Sequence, residues 1–131
     1  MTSPYRTSTS STQWSFPPFF GAVKALVISC LAVFGLQLAL AVVSPRPSPI
    51  EPGMADRFID IFGIVPALVV HGWVWQPVTY LFLHGDVMHV LFNMLALWTF
   101  GSALESDWGS RKFLFYYFLT GVGAGLLSVA V

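Results

Sequence analysis

The stretch Val87-Met-His-Val-Leu-Phe-Asn-Met-Leu-Ala-Leu-Trp-Thr-Phe-Gly-Ser-Ala-Leu104 decides the fold of this chain. It runs for about 18 residues without a formal charge, long enough to cross the hydrocarbon core of a bilayer as a helix. Two polar side chains, His89 and Asn93, lie inside it. An unpaired imidazole or amide in lipid costs roughly a few kcal/mol, so such groups face a bundle interior or a watery cavity. Four residues apart, the two stand one turn above each other on the same helix face. That face is equipped for polar work, whether as structural glue to neighbouring helices or as chemistry.

Composition agrees with this reading. With 56% hydrophobic and only 9% charged residues, the 131-residue chain has the profile of a single membrane-embedded domain. The formal net charge is zero and like charges form no block, so nothing points to nucleic acid or to an acidic partner. A lone cysteine, Cys30, sits in an apolar run, where it reads as lipid-facing or packed filler and has no partner for an internal disulfide.

Working outward from the central stretch, two more spans emerge. Upstream, Ala22 to Val43 carries only Lys24 as a charge, near enough to the end to snorkel. A cleaved signal peptide is the rival, because Ala39-Leu-Ala41 resembles a cleavage site. The apolar run is too long for one, and a tail precedes it, so an uncleaved anchor is expected. Residues 1–13 are rich in Ser and Thr and read as a disordered tail. Trp14, Phe16, Phe19 and Phe20, broken by Pro17-Pro18, read as an aromatic anchor at the headgroup level, so that tail and anchor together fill residues 1–21. Downstream, Phe113 to Val131 follows Arg111-Lys112 and forms the third span. The expected membrane domain thus fills residues 22–131, with helices at about 22–43, 87–104 and 113–131.

The 44–86 connection opens with a proline-broken exit, Ser44-Pro-Arg-Pro-Ser-Pro-Ile-Glu-Pro-Gly53, which cannot continue a helix. Between Asp56 and Val70, Phe58, Ile61, Phe62 and Val65 recur at helical spacing opposite Arg57 and Asp60, which predicts a short surface helix interrupted by Pro66. Trp73 and Trp75 then bring two interfacial anchors. Arg6, Lys24, Arg111 and Lys112 flank one side of the spans, while the long loop balances Arg46 and Arg57 against Glu51, Asp56, Asp60 and Asp86. The positive-inside rule therefore places the N-terminus in the cytoplasm and the loop outside. His89 and Asn93 then fall in the outer half of the membrane.

An ordered set of motifs carries a resemblance that spacing alone does not supply. Trp75-Gln-Pro-Val-Thr79, Phe82-Leu-His84-Gly-Asp-Val-Met-His89, Asn93, Gly101-Ser-Ala-Leu-Glu105 and Trp108-Gly-Ser-Arg-Lys-Phe113 together resemble the amino-terminal half of the rhomboid family of intramembrane serine proteases, over about residues 58 to 131. The resemblance implies an all-α polytopic bundle with a membrane-associated first external loop, of which this chain supplies three transmembrane helices. It implies lodging in a lipid bilayer, a bacterial-type plasma membrane being expected, and transmembrane protein substrates. It also implies that His89 and Asn93 help to form an oxyanion hole, and that His84 belongs to a hydrogen-bond network holding the first loop.

That role suits their chemistry. Peptide cleavage passes through a tetrahedral oxyanion, and a fixed donor in a dry site is worth roughly 10²–10³ in rate. An Asn amide always donates, and a histidine donates whether neutral or protonated. Asp86 is placed to cap the helix on which they sit. Glu105 and Asp107, beside Arg111-Lys112, read as an interfacial ion-pair and cap cluster. No metal site is expected: His84 and His89 lie five apart across a helix start, with only His71 upstream and no cysteine nearby. The chemistry implied needs no cofactor.

Two departures from the family pattern stand out. Gln76 follows Trp75 where the family commonly has arginine, so the loop anchor formed by Trp75, Gln76 and His84 loses a charge and a forked donor. The family's nucleophile lies in a Gly-x-Ser-Gly segment on a fourth helix and its base is a histidine on a sixth. Neither has a counterpart here, and Ser110 and Ser128 lack both the flanking residues and a base. The expectation is an amino-terminal part of such a protease, inactive as these 131 residues alone; the alternative is a non-catalytic rhomboid-like protein that binds transmembrane helices. Finally, Gly121 and Gly125 form a small-xxx-small surface on the last span, suited to close helix packing and, if left open, to self-association.

Overall fold

The computed structural model describes residue 17, residues 19–48 and residues 50–131. The tail expected over residues 1–13, with Trp14 and Phe16 of the aromatic anchor, lies outside them. Six α-helices appear in order among the described residues, α1 Gly21–Val43, α2 Met54–Phe62, α3 Pro66–Val70, α4 Gln76–Thr79, α5 Val87–Trp108 and α6 Ser110–Ala130, with a 3-10 turn at Tyr80–Phe82 after α4. There is no strand among the described residues. The helices α1, α5 and α6, of 23, 22 and 21 residues, are long and apolar enough to cross a membrane. At about 1.5 Å per residue each reaches over 30 Å. The protein is an all-α, polytopic integral membrane protein.

The three long helices meet at the Gly21 end. Ala22, Val23, Leu26 and Val27 of α1 are buried against Phe113 of α6, with Met94, Leu97 and Leu104 of α5 packed around them. Gly101 lies at the crossing, where an added Cβ would meet Val23 at 3.2 Å and Phe113 at 3.3 Å. Around it α5 widens into a π-type turn over Leu97–Gly101. Phe19, exposed at the surface, turns its ring edge-on to Trp98, whose Nε1–H donates to the Pro17 carbonyl at 3.1 Å. Cys30 is packed away from the surface rather than facing lipid.

Helix boundaries differ from expectation at the second turn. The second span continues past Leu104 to Trp108, and the third starts at Ser110 rather than Phe113. Gly109 alone makes the connection, with φ +80° and ψ 154°. That conformation is essentially restricted to glycine, so one residue turns the chain and the flanking polar residues stay helical.

The 44–86 loop folds back on the bundle. Asp56 in the first turn of α2 accepts from Gly53 N–H at 2.8 Å and is clasped by the Arg46 guanidinium, which tethers the exit of α1 to α2. The Arg46 guanidinium and the Gly53 N–H hold the Asp56 carboxyl below its usual range. Pro66, expected as an interruption, opens α3 at a position where a missing N–H costs nothing. The loop also reaches α6. A Cβ on Gly121 would come within 2.6 Å of Leu81, and one on Gly125 within 2.7 Å of Tyr80. Tyr80 Oη donates to the Gly121 carbonyl at 2.5 Å. The small-residue face, expected to serve close packing and, if left open, self-association, is occupied by the chain's own loop, because glycines admit the Tyr80 and Leu81 side chains where a longer residue would not.

Candidate functional site

The candidate site lies where the loop enters α5. Asp86 has an extended backbone and its carboxylate accepts from His89 N–H at 2.8 Å, so the expected cap forms and fixes the first turn. His89 and Asn93 follow one turn apart, and both are exposed. The Nδ1 of His89 faces the Gly85 N–H at 3.5 Å. Among the described residues the Asn93 side chain has no hydrogen-bond partner. The Asn93 amide and His89 Nε2 thus remain on an exposed edge of a membrane-crossing helix as donors to whatever packs or binds there.

His84 stands behind that edge and is buried. Its ring meets Phe34 edge-on at 6.5 Å between centroids and His89 at 5.4 Å. Burial pushes the His84 imidazole below its ordinary pKa, opposed by a bond at 3.3 Å to the Phe82 carbonyl and aided by the neighbouring His89. A carbonyl only accepts, so the neutral ring carries its proton on Nδ1. His84 also pairs through its main chain with Gln37, a buried amide on α1: Gln37 Nε2 donates to the His84 carbonyl at 3.2 Å, and His84 N–H donates to Gln37 Oε1 at 3.4 Å.

Trp75 and Gln76 come earlier in the loop, and their side chains bond the α2–α3 segment. The Gln76 side chain is fully buried; its Oε1 accepts from Val65 N–H at 2.9 Å and its Nε2 donates to the carbonyls of Asp60 and Ile61 at 2.9 and 3.3 Å. Trp75 Nε1–H donates to the Ile61 carbonyl at 2.9 Å. Together they close the α2–α3 joint. An amide suffices there because its partners are neutral backbone groups, one donor and two acceptors, which an arginine could not match.

Glu105 departs from expectation. Its carboxylate pairs with neither Arg111 nor Lys112; it is buried and accepts from Ala22 N–H at 2.7 Å, Val23 N–H at 2.9 Å and the Ser110 hydroxyl at 2.5 Å. The first N–H groups of α1 lack intrahelical acceptors and carry the positive end of its dipole, so a carboxylate is stabler there than beside solvated cations. Arg46–Asp56 is the ion pair found among the described residues. Sequence reasoning thus missed Gln37 and misassigned the partners of Glu105. The available signal was an uncharged amide in the middle of an apolar span, which must find a partner. Among the described residues, His, Cys, Asp and Glu form no group of three or more that could hold a metal.

Comparison with known proteins gives this arrangement relatives. The rhomboid domain model matches residues 71–131, from the end of α3 through α6. The chain is similar to the rhomboid protease GluP of Bacillus subtilis, 37% identical over 62 residues, covering 47% of this chain and 12% of that protein. It is similar to RHOMBOID-like protein 1 of Arabidopsis thaliana, 41% identical over 101 residues, covering 76% of this chain and 25% of the relative. Rhomboid-like protease 2 of Toxoplasma gondii matches at 26% over 119 residues, covering 91% of this chain and 42% of the relative. The chain therefore spans less than half the length of these curated relatives. No solved structure matches it. The matched domain contains His84, His89, Asn93, Glu105, both packing glycines and two of the three membrane-crossing helices, and together with these relatives it makes this chain a member of the rhomboid family.

Proposed function

We propose that this chain is the amino-terminal part of a rhomboid-type intramembrane serine endopeptidase that cleaves transmembrane proteins, with His89 and Asn93 as oxyanion donors. The observation that carries the reading is the His89–Asn93 edge: two donors one turn apart, capped in place by Asp86, exposed on a membrane-crossing helix. Relatives named as rhomboid proteases support the reaction class. On this reading the nucleophile and base belong to other parts of the complete protein, and among the described residues no serine hydrogen-bonds to a histidine. Trp75, Gln76 and His84 hold the first loop, and that loop faces the outside of a bacterial-type plasma membrane while the Gly21 end faces the cytoplasm. The Lys/Arg distribution supports that orientation, and a cysteine at position 48 labelled from outside intact cells, with one at 106 protected, is its expected signature; the reverse pattern overturns it.

The catalytic reading is tested in the full-length protein. His89→Ala and Asn93→Ala should each lower turnover by roughly 10-fold to 10³-fold with the fold intact, because each removes a donor to the transition state. Unchanged cleavage of a transmembrane reporter by both variants would return these residues to structural glue. The purified 131-residue chain should cleave nothing, and proteolysis by it would place a nucleophile within these residues.

A further inference from the structure

Gln37 lies 16 residues into α1, about 24 Å from Gly21, level with the start of α5. Both ends of its amide are spent on the main chain of one residue, His84. An amide that pairs with both backbone groups of a residue acts as a strand neighbour would, fixing that residue's place and its peptide planes. The residue so held leads directly into Gly85, whose N–H faces His89 Nδ1. Asp86 meanwhile holds the N–H of His89 itself. A ring nitrogen facing an N–H can only accept, so the neutral imidazole of His89 carries its proton on Nε2, the nitrogen left to donate.

We infer that Gln37 is a positioning residue for His89: by clamping the His84 main chain it holds the Gly85 N–H on Nδ1 and keeps the donor proton on Nε2. This rests on the oxyanion role proposed above. Nothing in the clamp touches a substrate. Its contribution is orientation and tautomer, delivered from a different helix across 47 residues of sequence.

A double-mutant cycle in the full-length protein tests it. Gln37→Met, which keeps length and suits an apolar span, should lower kcat about 10-fold and leave KM within about 2-fold, as expected for a donor misplaced by a fraction of an ångström. Combined with His89→Ala it should add no further loss, because the clamp acts through the residue already removed. In ¹⁵N-histidine spectra of the micellar protein, His89 should show an unprotonated Nδ1 in wild type and a mixture of tautomers in Gln37→Met. Losses that multiply in the double variant, or an unchanged kcat and tautomer, overturn the inference. Should Gln37→Met fail to fold, Gln37→Asn, whose amide falls one methylene short, carries the same cycle and the same spectra. If His89→Ala alone leaves cleavage intact, the oxyanion role falls, and the tautomer measurement still decides whether Gln37 orders His89.

Discussion

At the Gly21 end of the bundle a buried carboxylate meets three donors at 2.5–2.9 Å, whereas at the Val43 end the Gln37–His84 and Gly85–His89 contacts run from 3.2 to 3.5 Å and leave His89 and Asn93 exposed. Polar groups hold α1 at both ends in an otherwise apolar setting, to α5 at the first and to the loop leading into α5 at the second. The difference is one of completion. Glu105 is buried with its donors close at hand, while His89 Nε2 and the Asn93 amide keep their hydrogen-bonding capacity unspent. Low dielectric strengthens a satisfied polar group and penalises an unsatisfied one, so the first arrangement suits a lock and the second suits a place where something must bind.

The sharpest way to break this contrast is to remove the lock. Glu105→Ala strips a charged acceptor from two α1 N–H groups and should cost about 3 kcal/mol or more, since bonds to charged groups contribute roughly 1.5–3 kcal/mol each. Glu105→Gln should recover part of that. Gly21→Ala should cost about 1–3 kcal/mol from its left-handed backbone alone, with φ at +63°, and more because the new methyl collides with the carboxylate. Unfolding in mixed detergent reads all three; a Glu105→Ala protein as stable as wild type would show that the carboxylate locks nothing.

A middle-sized effect separates the faces of α6. Gly121→Leu and Gly125→Leu drive side chains into Leu81 and Tyr80 and should each destabilise by about 1–3 kcal/mol. Gly123, with nothing within 4 Å of its would-be Cβ, should accept leucine within about 0.5 kcal/mol. Equal behaviour of the three variants would mean that the loop does not pack on α6.

The smallest effect is a pH dependence at the open end. The native fold lowers the His84 pKa, so on acidification the unfolded chain takes up its proton first. Stability should hold above pH ~6.5 and decline as the pH falls below it towards the native value. A His84→Gln variant should lose that dependence. If its unfolding midpoint between pH 7.5 and 5.5 falls as far as that of wild type, another group titrates.

Features set by nearby residues were legible in the sequence. The three spans follow from apolar length, the exit at residues 44–53 from its prolines, and the Asp86 cap from its place before an apolar run. Contacts between distant residues were not. Glu105 reads beside Arg111-Lys112 as a partner for cations, yet two of its three donors are 82 and 83 residues away and come from the backbone, which carries no mark in the side-chain sequence. Gln37 was visible as an amide, but its partner is the main chain of His84, and a backbone partner leaves no second polar residue to match it with. Gly109 was passed over because one residue is an unusually short connection between two spans.

The π-type turn at Leu97–Gly101 has a consequence for the phase of α5. A wide turn acts like one residue spliced into the helix, which sets everything after it back by about 100° of rotation relative to an unbroken α-helix. The azimuth of Glu105 relative to His89 and Asn93 is therefore shifted from the one an unbroken α-helix would impose. Deleting a single residue within 97–101 would restore regular winding without shortening the span appreciably, and it would swing the carboxylate away from the first turn of α1 while the imidazole and amide stayed where they are. The bulge is the joint that lets one rod present two unrelated chemistries to two different neighbours.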